Sequence, residues 1–404
     1  MSDTTVEYNM FDPEFPANPY KQYRVVREGD PVYHSQFGVW LLFRYDDVLG
    51  FLRDNELSVE DRNAHPTPLT QLAQDTIGEE AERGSLAMLN RDPPDHTRLR
   101  RLVSKAFTPR TVENLRPRVQ QLVDEALDRA AAAGGMEVMG DFAFPLPFTV
   151  ISEMLGMPDT DSRQLREWSG LLVRTLEPVV DTDTLQAIAK AGTHMRELVS
   201  EAIAWKRANP ADDMLTALIA AEEHGDVLSD DELIEQVMLL YIAGHETTVN
   251  LIGNGVLALA RHEDQRRRLR HEPELIGNAV EELLRYDSPV QMSRRITLRE
   301  VELDGKTIEP GAFVGLVLAS ANRDPLRWGD TAEELDLARE GAHGHVSFGG
   351  GAHYCLGAAL ARLEGQVAIG SLVQRFATWE PAGEPAWNGR LNLRGLDQLP
   401  LSLA

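Results

Sequence analysis

The chain has 404 residues, of which 43% are hydrophobic, a formal net charge of −24 and a single cysteine. This length allows a large buried core, and one cysteine excludes an internal disulfide framework and suits a reducing compartment. The negative charge argues against a nucleic-acid partner. The N-terminus lacks a secretory signal, and no apolar run approaches the ~20 residues that span a bilayer. We therefore expect a cytoplasmic protein without a membrane anchor.

Short strands are predicted near the N-terminus, within residues 32–45, where Gly38 indicates a hairpin turn. The chain then becomes almost wholly helical over residues 92–285, because apolar residues recur there at helical spacing. Neither a repeat nor a low-complexity linker interrupts this region. The first two thirds of the chain therefore predict a bundle of helices with a small β element at its edge.

One long helix is predicted over residues 228–262, with Ser229 and Glu232 forming a capping box at its start. In its middle the chain reads AGHETT (243–248), although glycine and threonine are poor helix formers. A structural explanation is that Gly244 allows close helix packing and that the hydroxyls bond to the preceding turn. In the alternative explanation, the acid and the alcohol of this segment carry protons.

The pattern returns to short strands over residues 296–317, broken by turns at Asp304-Gly305 and Pro310-Gly311. A final helix is predicted to begin around Leu356. We expect one domain over residues 1–404, mainly α-helical with small β-sheets.

The only cysteine, Cys355, lies in the glycine-rich segment HVSFGGGAHYCLG (345–357). Such a thiol can fill a core, act as a nucleophile with His353, bind zinc with nearby histidines, or bind haem iron. Three successive glycines before it suit a loop that lies flat against a planar ligand. At a helix N-terminus we also expect the pKa of the thiol to be lowered.

The spacing Phe348-x-x-Gly351-x-x-x-Cys355-x-Gly357 resembles the haem-binding signature of the cytochromes P450. AGHET resembles the oxygen-activation motif of the same family, and EELLR (281–285) resembles its E-x-x-R pair. The resemblance extends over nearly the whole chain. It implies the cytochrome P450 fold, with haem b held between the long central helix and the helix that follows the cysteine loop.

The resemblance also implies roles for individual residues. Cys355 would ligate the iron, Glu246 and Thr247 would deliver protons, and Glu282 with Arg285 would have a structural role. Further cofactor-binding positions would be His96, Arg100, Arg295 and His345, which match positions that hold the haem propionates, together with Ala243, Gly244, Phe348, Gly349, His353 and Gly357. The substrate pocket would be lined by Leu86, Met88, Leu89, Ile242, Ala243, Val290, Gln291 and Leu396.

The activity implied by the resemblance is that of a haem-thiolate monooxygenase. It would insert one atom of O₂ into an apolar organic substrate by hydroxylation or epoxidation. A peroxide-driven peroxygenase and a non-catalytic haem sensor remain alternatives.

Electrons would come from NAD(P)H through ferredoxin reductase and ferredoxin, because the chain carries no flavin domain. Between His96 and Arg118 seven cations face one acid, Glu113, and form a candidate ferredoxin docking patch with Arg362 nearby. The seven are Arg98, Arg100, Arg101, Lys105, Arg110, Arg116 and Arg118.

Overall fold

The computed structural model describes residues 6–158, 162–177, 180–223 and 225–404. Sixteen α-helices lie within these residues and make up most of the regular structure. They are α1 (Tyr20–Gly29), α2 (Tyr45–Arg53), α3 (Pro68–Gly84), α4 (Asp95–Ala106), α5 (Pro109–Asn114), α6 (Arg116–Ala133), α7 (Pro145–Leu155), α8 (Ser162–Leu172), α9 (Thr182–Ala208), α10 (Met214–Ile219), α11 (Asp230–Arg261), α12 (Glu263–His271), α13 (Ile276–Tyr286), α14 (Leu318–Ala321), α15 (Pro325–Trp328) and α16 (Ala358–Arg375).

Fourteen short strands within the same residues form small sheets. The largest sheet has the order β1-β2-β10-β7-β3, in which β2 and β10 run parallel and the other neighbours run antiparallel. The strands are β1 (Val32–His34), β2 (Trp40–Leu42), β3 (Leu57–Ser58), β4 (Gly135–Glu137), β5 (Glu222–Glu223), β6 (Asp226–Val227), β7 (Ser293–Thr297), β8 (Val301–Leu303), β9 (Lys306–Ile308), β10 (Phe313–Leu316), β11 (Trp379–Pro381), β12 (Ala386–Trp387), β13 (Leu396–Gln398) and β14 (Pro400–Leu403).

The predicted turns are confirmed. Strands β1 and β2 pair antiparallel, and Gly38 between them adopts a left-handed conformation with φ of 74°. Gly305 and Gly311, at the two later turns, also have positive φ angles of 73° and 82°. Residues 92–285 are predominantly helical as predicted, with the exception of β4, β5 and β6 and the loops, and residues 159–161, 178–179 and 224 of this range lie outside the described residues. The last helix begins at Ala358, two residues later than expected, because the chain still forms a turn at Gly357.

Helix α11 is the central element of the fold. Its capping box is present, since the Ser229 hydroxyl accepts from the Glu232 N–H at 3.2 Å and the Glu232 carboxylate accepts from the Ser229 N–H at 3.0 Å. The helix has 32 residues and is therefore about 48 Å long. It contacts α7, α9, α13 and α16, and most of its residues are buried. Among the described residues, no helix is long and apolar enough to cross a membrane.

Candidate active site

The cysteine loop is shaped by backbone contacts with α2. The Cys355 N–H donates to the Phe348 carbonyl at 2.9 Å, which closes the loop. Gly349 and Gly351 have φ angles of 71° and 64°, which disfavour residues with a Cβ. A Cβ on Gly351 would also collide with the carbonyl oxygen of Leu52 in α2. These glycines thus serve the turn and the packing on α2, and their clearing of space for a planar ligand stays a prediction.

Cys355 lies beside an interior space. Its side chain is exposed, yet burial by the surrounding protein raises the pKa of the thiol. The N–H groups of Gly357 and Ala358 at the start of α16 act in the opposite direction, but they do not outweigh burial. The expectation of a lowered pKa is therefore wrong in sign. A thiol that is accessible to solvent but surrounded by protein is typical of a side chain that lines an enclosed space.

The middle of α11 also has an open face. Ala243 is exposed and Thr247 is half-buried, although both lie in the centre of the longest helix. The Thr247 hydroxyl donates to the Ala243 carbonyl at 3.1 Å. A Cβ on Gly244 would lie 2.8 Å from a side-chain carbon of Ile151 in α7. The structural explanation of this motif therefore applies, and in addition its open face leaves room for a ligand.

Glu246 points away from this open face. One of its carboxylate oxygens accepts from Arg390 Nη1 at 3.1 Å, and the other lies 3.8 Å from His245 Nε2. The carboxylate is largely buried between α11, α8 and the turn before β13. Within the described residues, no hydrogen bond joins Glu246 directly to Thr247, so a proton passing between them needs an intervening water.

Four basic side chains from three elements come together beside the cysteine loop, and the two arginines among them carry the positive charge. The four are His96 and Arg100 from α4, Arg295 from β7, and His353 from the loop itself, and we call them the cation cluster. The rings of His96 and His353 are 4.1 Å apart between centroids. Burial is the main cause that lowers the pKa of Arg295 to about 10, and burial with the neighbouring cations lowers that of His353 to about 3.

The two arginines of the cation cluster bind backbone carbonyl groups. Arg100 donates to the Tyr354 carbonyl at 2.6 Å, and Arg295 donates to the carbonyl of Leu52 at 3.1 Å. Asp92 is the acid that acts on Arg295 and His96 through space. Buried cations held mainly by neutral dipoles are stabilised by an added anion. The cluster thus fits the carboxylates of a haem propionate pair.

His345, the remaining predicted propionate ligand, lies apart from this cluster beside Glu281. Its Nε2 faces the carboxylate of Glu281 at 3.3 Å, and its Nδ1 accepts from the Ser347 N–H at 3.1 Å. Glu281 in turn forms an ion pair with Arg362 at 2.6 Å. Only Nδ1 is hydrogen-bonded in this geometry, and the buried Nε2 makes no hydrogen bond to the described residues. A role of His345 in binding a propionate therefore stays a prediction.

The predicted pocket residues fall into three groups. The first group is half-buried and consists of Leu86, Ile242 and Val290. The second is Leu89, which is 44% exposed. The third, Met88 and Leu396, packs in the main core.

Gln291 is the polar member of the predicted pocket, and it is buried. Its Oε1 accepts from the Tyr23 hydroxyl at 3.0 Å and its Nε2 donates to the Ser288 carbonyl at 2.6 Å. One end of this amide thus binds α1 and the other binds the segment after α13, so the side chain is held in place by hydrogen bonds.

The Glu282–Arg285 pair is completely buried in α13. The Arg285 Nε donates to Glu282 at 2.6 Å, and its Nη1 donates to the carbonyls of Asn322 and Ala332 at 2.7 Å each. Arg339 donates to the same carboxylate at 3.1 Å. The pair thus joins α13 to the segment that leads to the cysteine loop, which is the geometry of a structural role.

The donor set fits haem better than zinc. A single thiol faces interior space, a cation cluster lies beside its loop, and the nearby helix has an open face at Ala243. Within the described residues, no group of three or more histidines, cysteines or acids could hold a metal ion. The zinc alternative therefore has no ligand set here, whereas one thiolate ligand suffices for haem iron.

Comparison with known proteins defines the class. Residues 74–388 match the family model "Cytochrome P450". "Cytochrome P450 107B1" of Saccharopolyspora erythraea is 42% identical over 97% of this chain and 96% of its own length. "Vitamin D(3) 25-hydroxylase" of Pseudonocardia autotrophica is 41% identical, over 99% and 97%. The structure of "P450BioI in complex with hexadec-9Z-enoic acid ligated Acyl Carrier Protein" has a TM-score of 0.89 at 37% identity, over 97% of this chain and 99% of that chain.

These matches, together with the helical fold and the thiol loop, define a haem-containing oxidoreductase. The chain belongs to the cytochrome P450 family, and it is a P450 monooxygenase whose cofactor is haem b. The predicted fold class, mainly α-helical with small sheets, is confirmed.

Two ion pairs of the site escaped the sequence analysis. Arg390 lies 144 residues from Glu246, and the segment around it, WNGRLN, contains no recognisable motif. Glu281 precedes the E-x-x-R acid, and nothing in its spacing indicated contacts with His345 and Arg362. Both pairs are long-range contacts that only the folded chain creates.

Proposed function

We propose that this monooxygenase acts on an apolar organic substrate, by hydroxylation or epoxidation, with Cys355 as the axial ligand of the haem iron. The observation that carries the proposal is that the Cys355 thiol, in a loop with the family signature, is accessible although protein surrounds it. The haem supplies the oxygen chemistry when it is bound. The protein supplies the thiolate, the cation cluster for the propionates, and the open face of α11.

Protons would be delivered by Glu246 and Thr247. The carboxylate of Glu246 is largely buried beside α11, and the next residue, Thr247, places its hydroxyl on the half-open face beside Ala243. A positioned acid and a hydroxyl of this kind can pass a proton through one water. Peroxide-driven turnover needs no such relay, so this geometry favours an O₂-dependent reaction.

The substrate pocket would be apolar. Four apolar residues of the predicted pocket keep part of their surface exposed and would line it: Leu86, Leu89, Ile242 and Val290. Such surfaces bury apolar ligands and select them mainly by shape. Relatives are named for vitamin D₃ and for 6-deoxyerythronolide B, which are different substrates, so we assign a class and no particular compound.

The electron donor would be ferredoxin with its reductase, and the compartment would be the cytoplasm. Arg101 and Lys105 are exposed on α4, and the preceding Arg100 donates to Tyr354 in the cysteine loop. A basic helix against this loop offers an acidic partner a short path to the thiolate. The single cysteine suits a reducing compartment.

The test is spectroscopic. The purified protein, reduced and exposed to CO, is expected to show the red-shifted Soret band of thiolate-ligated haem. Because Cys355 is the only cysteine, Cys355→Ser must abolish that band in a protein whose circular dichroism is unchanged. A wild-type CO spectrum of the imidazole type, in protein that keeps its fold, would refute the proposed ligand.

A further inference from the structure

A surface cleft lies directly behind Arg390. It has a volume of about 700 Å³, and its walls are residues 10–16, the end of α8 with the segment after it, and the turn 388–391. Arg390 and Gly170 both line this cleft. The same guanidinium contacts Glu246 through Nη1 and the Gly170 carbonyl, at 3.4 Å, through Nη2. Arg390 therefore stands between solvent in the cleft and the buried carboxylate.

Among the described residues, His245 on the other side of Glu246 is not placed to donate a proton. His245 is fully buried, and its Nδ1 must donate to the Tyr241 carbonyl at 2.8 Å, because a carbonyl only accepts. In the neutral ring Nε2 is then an acceptor, and it lies 3.0 Å from the Ser169 hydroxyl. Burial lowers the pKa of His245, which keeps the ring neutral. The cleft is thus the side of Glu246 from which a proton can be replaced.

The turn that carries Arg390 is firmly anchored. The Arg390 N–H donates to Asn388 Oδ1 at 3.0 Å. The Glu177 carboxylate accepts from the N–H groups of Leu391 and Asn392, at 2.7 and 3.2 Å. These bonds join the turn to the segment after α8. The position of the Arg390 guanidinium therefore depends on the anchored backbone as well as on the ion pair with Glu246.

We propose that this cleft is the solvent end of the proton supply to Glu246, and that Arg390 is the positioning residue that holds the carboxylate at its inner wall. The inference rests on the proposed relay through Glu246 and Thr247 and adds its source. Arginine stays protonated in proteins, so Arg390 carries no proton itself. Water in the cleft gives a proton to the carboxylate, and bulk buffer neutralises the hydroxide left behind.

The test compares Arg390→Ala with Arg196→Ala in the holoenzyme. Arg196 lies on α9 and forms an ion pair at 2.5 Å with Glu235, which is on α11 like Glu246. This pair is buried to a similar degree as the Arg390–Glu246 pair. We expect Arg390→Ala to lower product formed per NAD(P)H by about 3- to 10-fold, which is less than the loss of a general acid, worth about 10²–10⁴-fold. Arg196→Ala is expected to retain wild-type coupling.

Chemical rescue separates positioning from simple loss of structure. Guanidinium at non-denaturing concentration fits the space that Arg390→Ala opens, and we expect it to restore coupling, whereas sodium chloride at equal ionic strength should not. A second measurement needs no turnover. The infrared carboxylate band that disappears in Glu246→Gln should shift in Arg390→Ala and return when guanidinium is added.

Wild-type coupling in Arg390→Ala, or a loss that guanidinium leaves unchanged in both measurements, would overturn the inference. Its failure is distinguishable from failure of the proposed function. If wild-type enzyme forms product and Glu246→Gln uncouples it while Arg390→Ala does not, the relay stands and only its supply through the cleft is rejected.

Discussion

Glu246 and Thr247 are adjacent in sequence, but their side chains leave α11 in different directions. Glu246 forms its ion pair with Arg390 toward the surface, and Thr247 bonds back to Ala243 on the open face. Residues one apart on a helix differ by about 100° around its axis. The two groups can therefore connect a solvent-facing side of the helix with its inner side.

Replacing Thr247 tests the inner end of this connection. Thr247→Ala removes the hydroxyl but no contact to Cys355, so we expect substrate binding to stay near wild type while reducing equivalents are diverted to hydrogen peroxide. Thr247→Ser keeps the hydroxyl and should retain most of the coupling. The measurement is product and peroxide formed per NAD(P)H. Equal yields in the alanine variant and the wild type would remove Thr247 from the relay.

Glu281 gives the site an acid-sensitive contact. Its pKa is lowered from 4.5 to about 2, because contacts with His345 and Arg362 outweigh burial, which by itself raises it. The folded form thus binds fewer protons than the unfolded chain. Its stabilising contribution is complete above pH about 4.5 and is lost as the pH falls toward 2.

We therefore expect Glu281→Gln to be less stable than wild type at pH 6, by up to about 3 kcal/mol. The difference should shrink steadily between pH 4.5 and 2, since the wild-type carboxyl becomes protonated there. Urea unfolding of both proteins across this range measures it, with the exposed Glu274→Gln as control. A difference independent of pH would contradict the assigned pKa.

At the scale of elements, the spacing of α11 and α7 depends on Gly244. A Cβ at this position would lie 2.8 Å from Cγ1 of Ile151. To make room for it, the two helices would have to move apart or the Ile151 side chain would have to adopt a strained conformation. The same replacement improves helix propensity by up to about 1 kcal/mol. Overpacking costs about 1–3 kcal/mol, and we expect this cost to exceed the gain in helix propensity.

Gly244→Ala is expected to lower the free energy of unfolding by about 1–2 kcal/mol. Adding Ile151→Ala removes the collision, so the double variant should be less destabilised than the sum of the single ones, by about 1 kcal/mol or more. Gly50→Ala in α2 is the control, because a Cβ there meets no atom within 4 Å, and it should not destabilise. Strict additivity of the two variants would contradict this packing account.

At the scale of the whole molecule, the basic patch is less positive than its sequence indicated. The sequence count found one acid, Glu113, against seven cations. In the fold, distant acids also reach the patch, through the pairs Arg98–Glu232, Arg118–Glu153 and Arg362–Glu281. These pairs neutralise part of the patch. With Arg362 it has eight cations against the four acids Glu113, Glu153, Glu232 and Glu281, so a local positive surplus remains on a chain of net charge −24.

Reversing Arg101 and Lys105 to glutamate is expected to slow ferredoxin-supported turnover and to flatten its salt dependence, with substrate binding unchanged. Complementary charges act mainly on the association rate, over a screening length of about 8–10 Å. Reversal of Lys21 and Arg24 on α1 changes the net charge equally and should have little effect. Stopped-flow reduction rates at several salt concentrations measure both variants, and equal rates would exclude the patch.

The sequence alone was sufficient for the helical fold class, the capping box of α11, the turn glycines and the signature around Cys355. These features depend on local spacing and backbone conformation, which a short segment carries in itself. It was also sufficient to place His96, Arg100 and Arg295 as candidate anion ligands. Their convergence with His353 then followed from the packing of α4, β7 and the cysteine loop.

Tertiary structure alone decided which groups face one another across the chain. The contacts of Arg390 with Glu246 and of Gln291 with Tyr23 join residues 144 and 268 positions apart, and the sequence predicted neither. It also decided the sign of the pKa change at Cys355, because the helix N-terminus is a local effect whereas desolvation sums over all surrounding protein. Local chemistry is determined by the sequence, but burial and long-range pairing arise only when distant segments pack together.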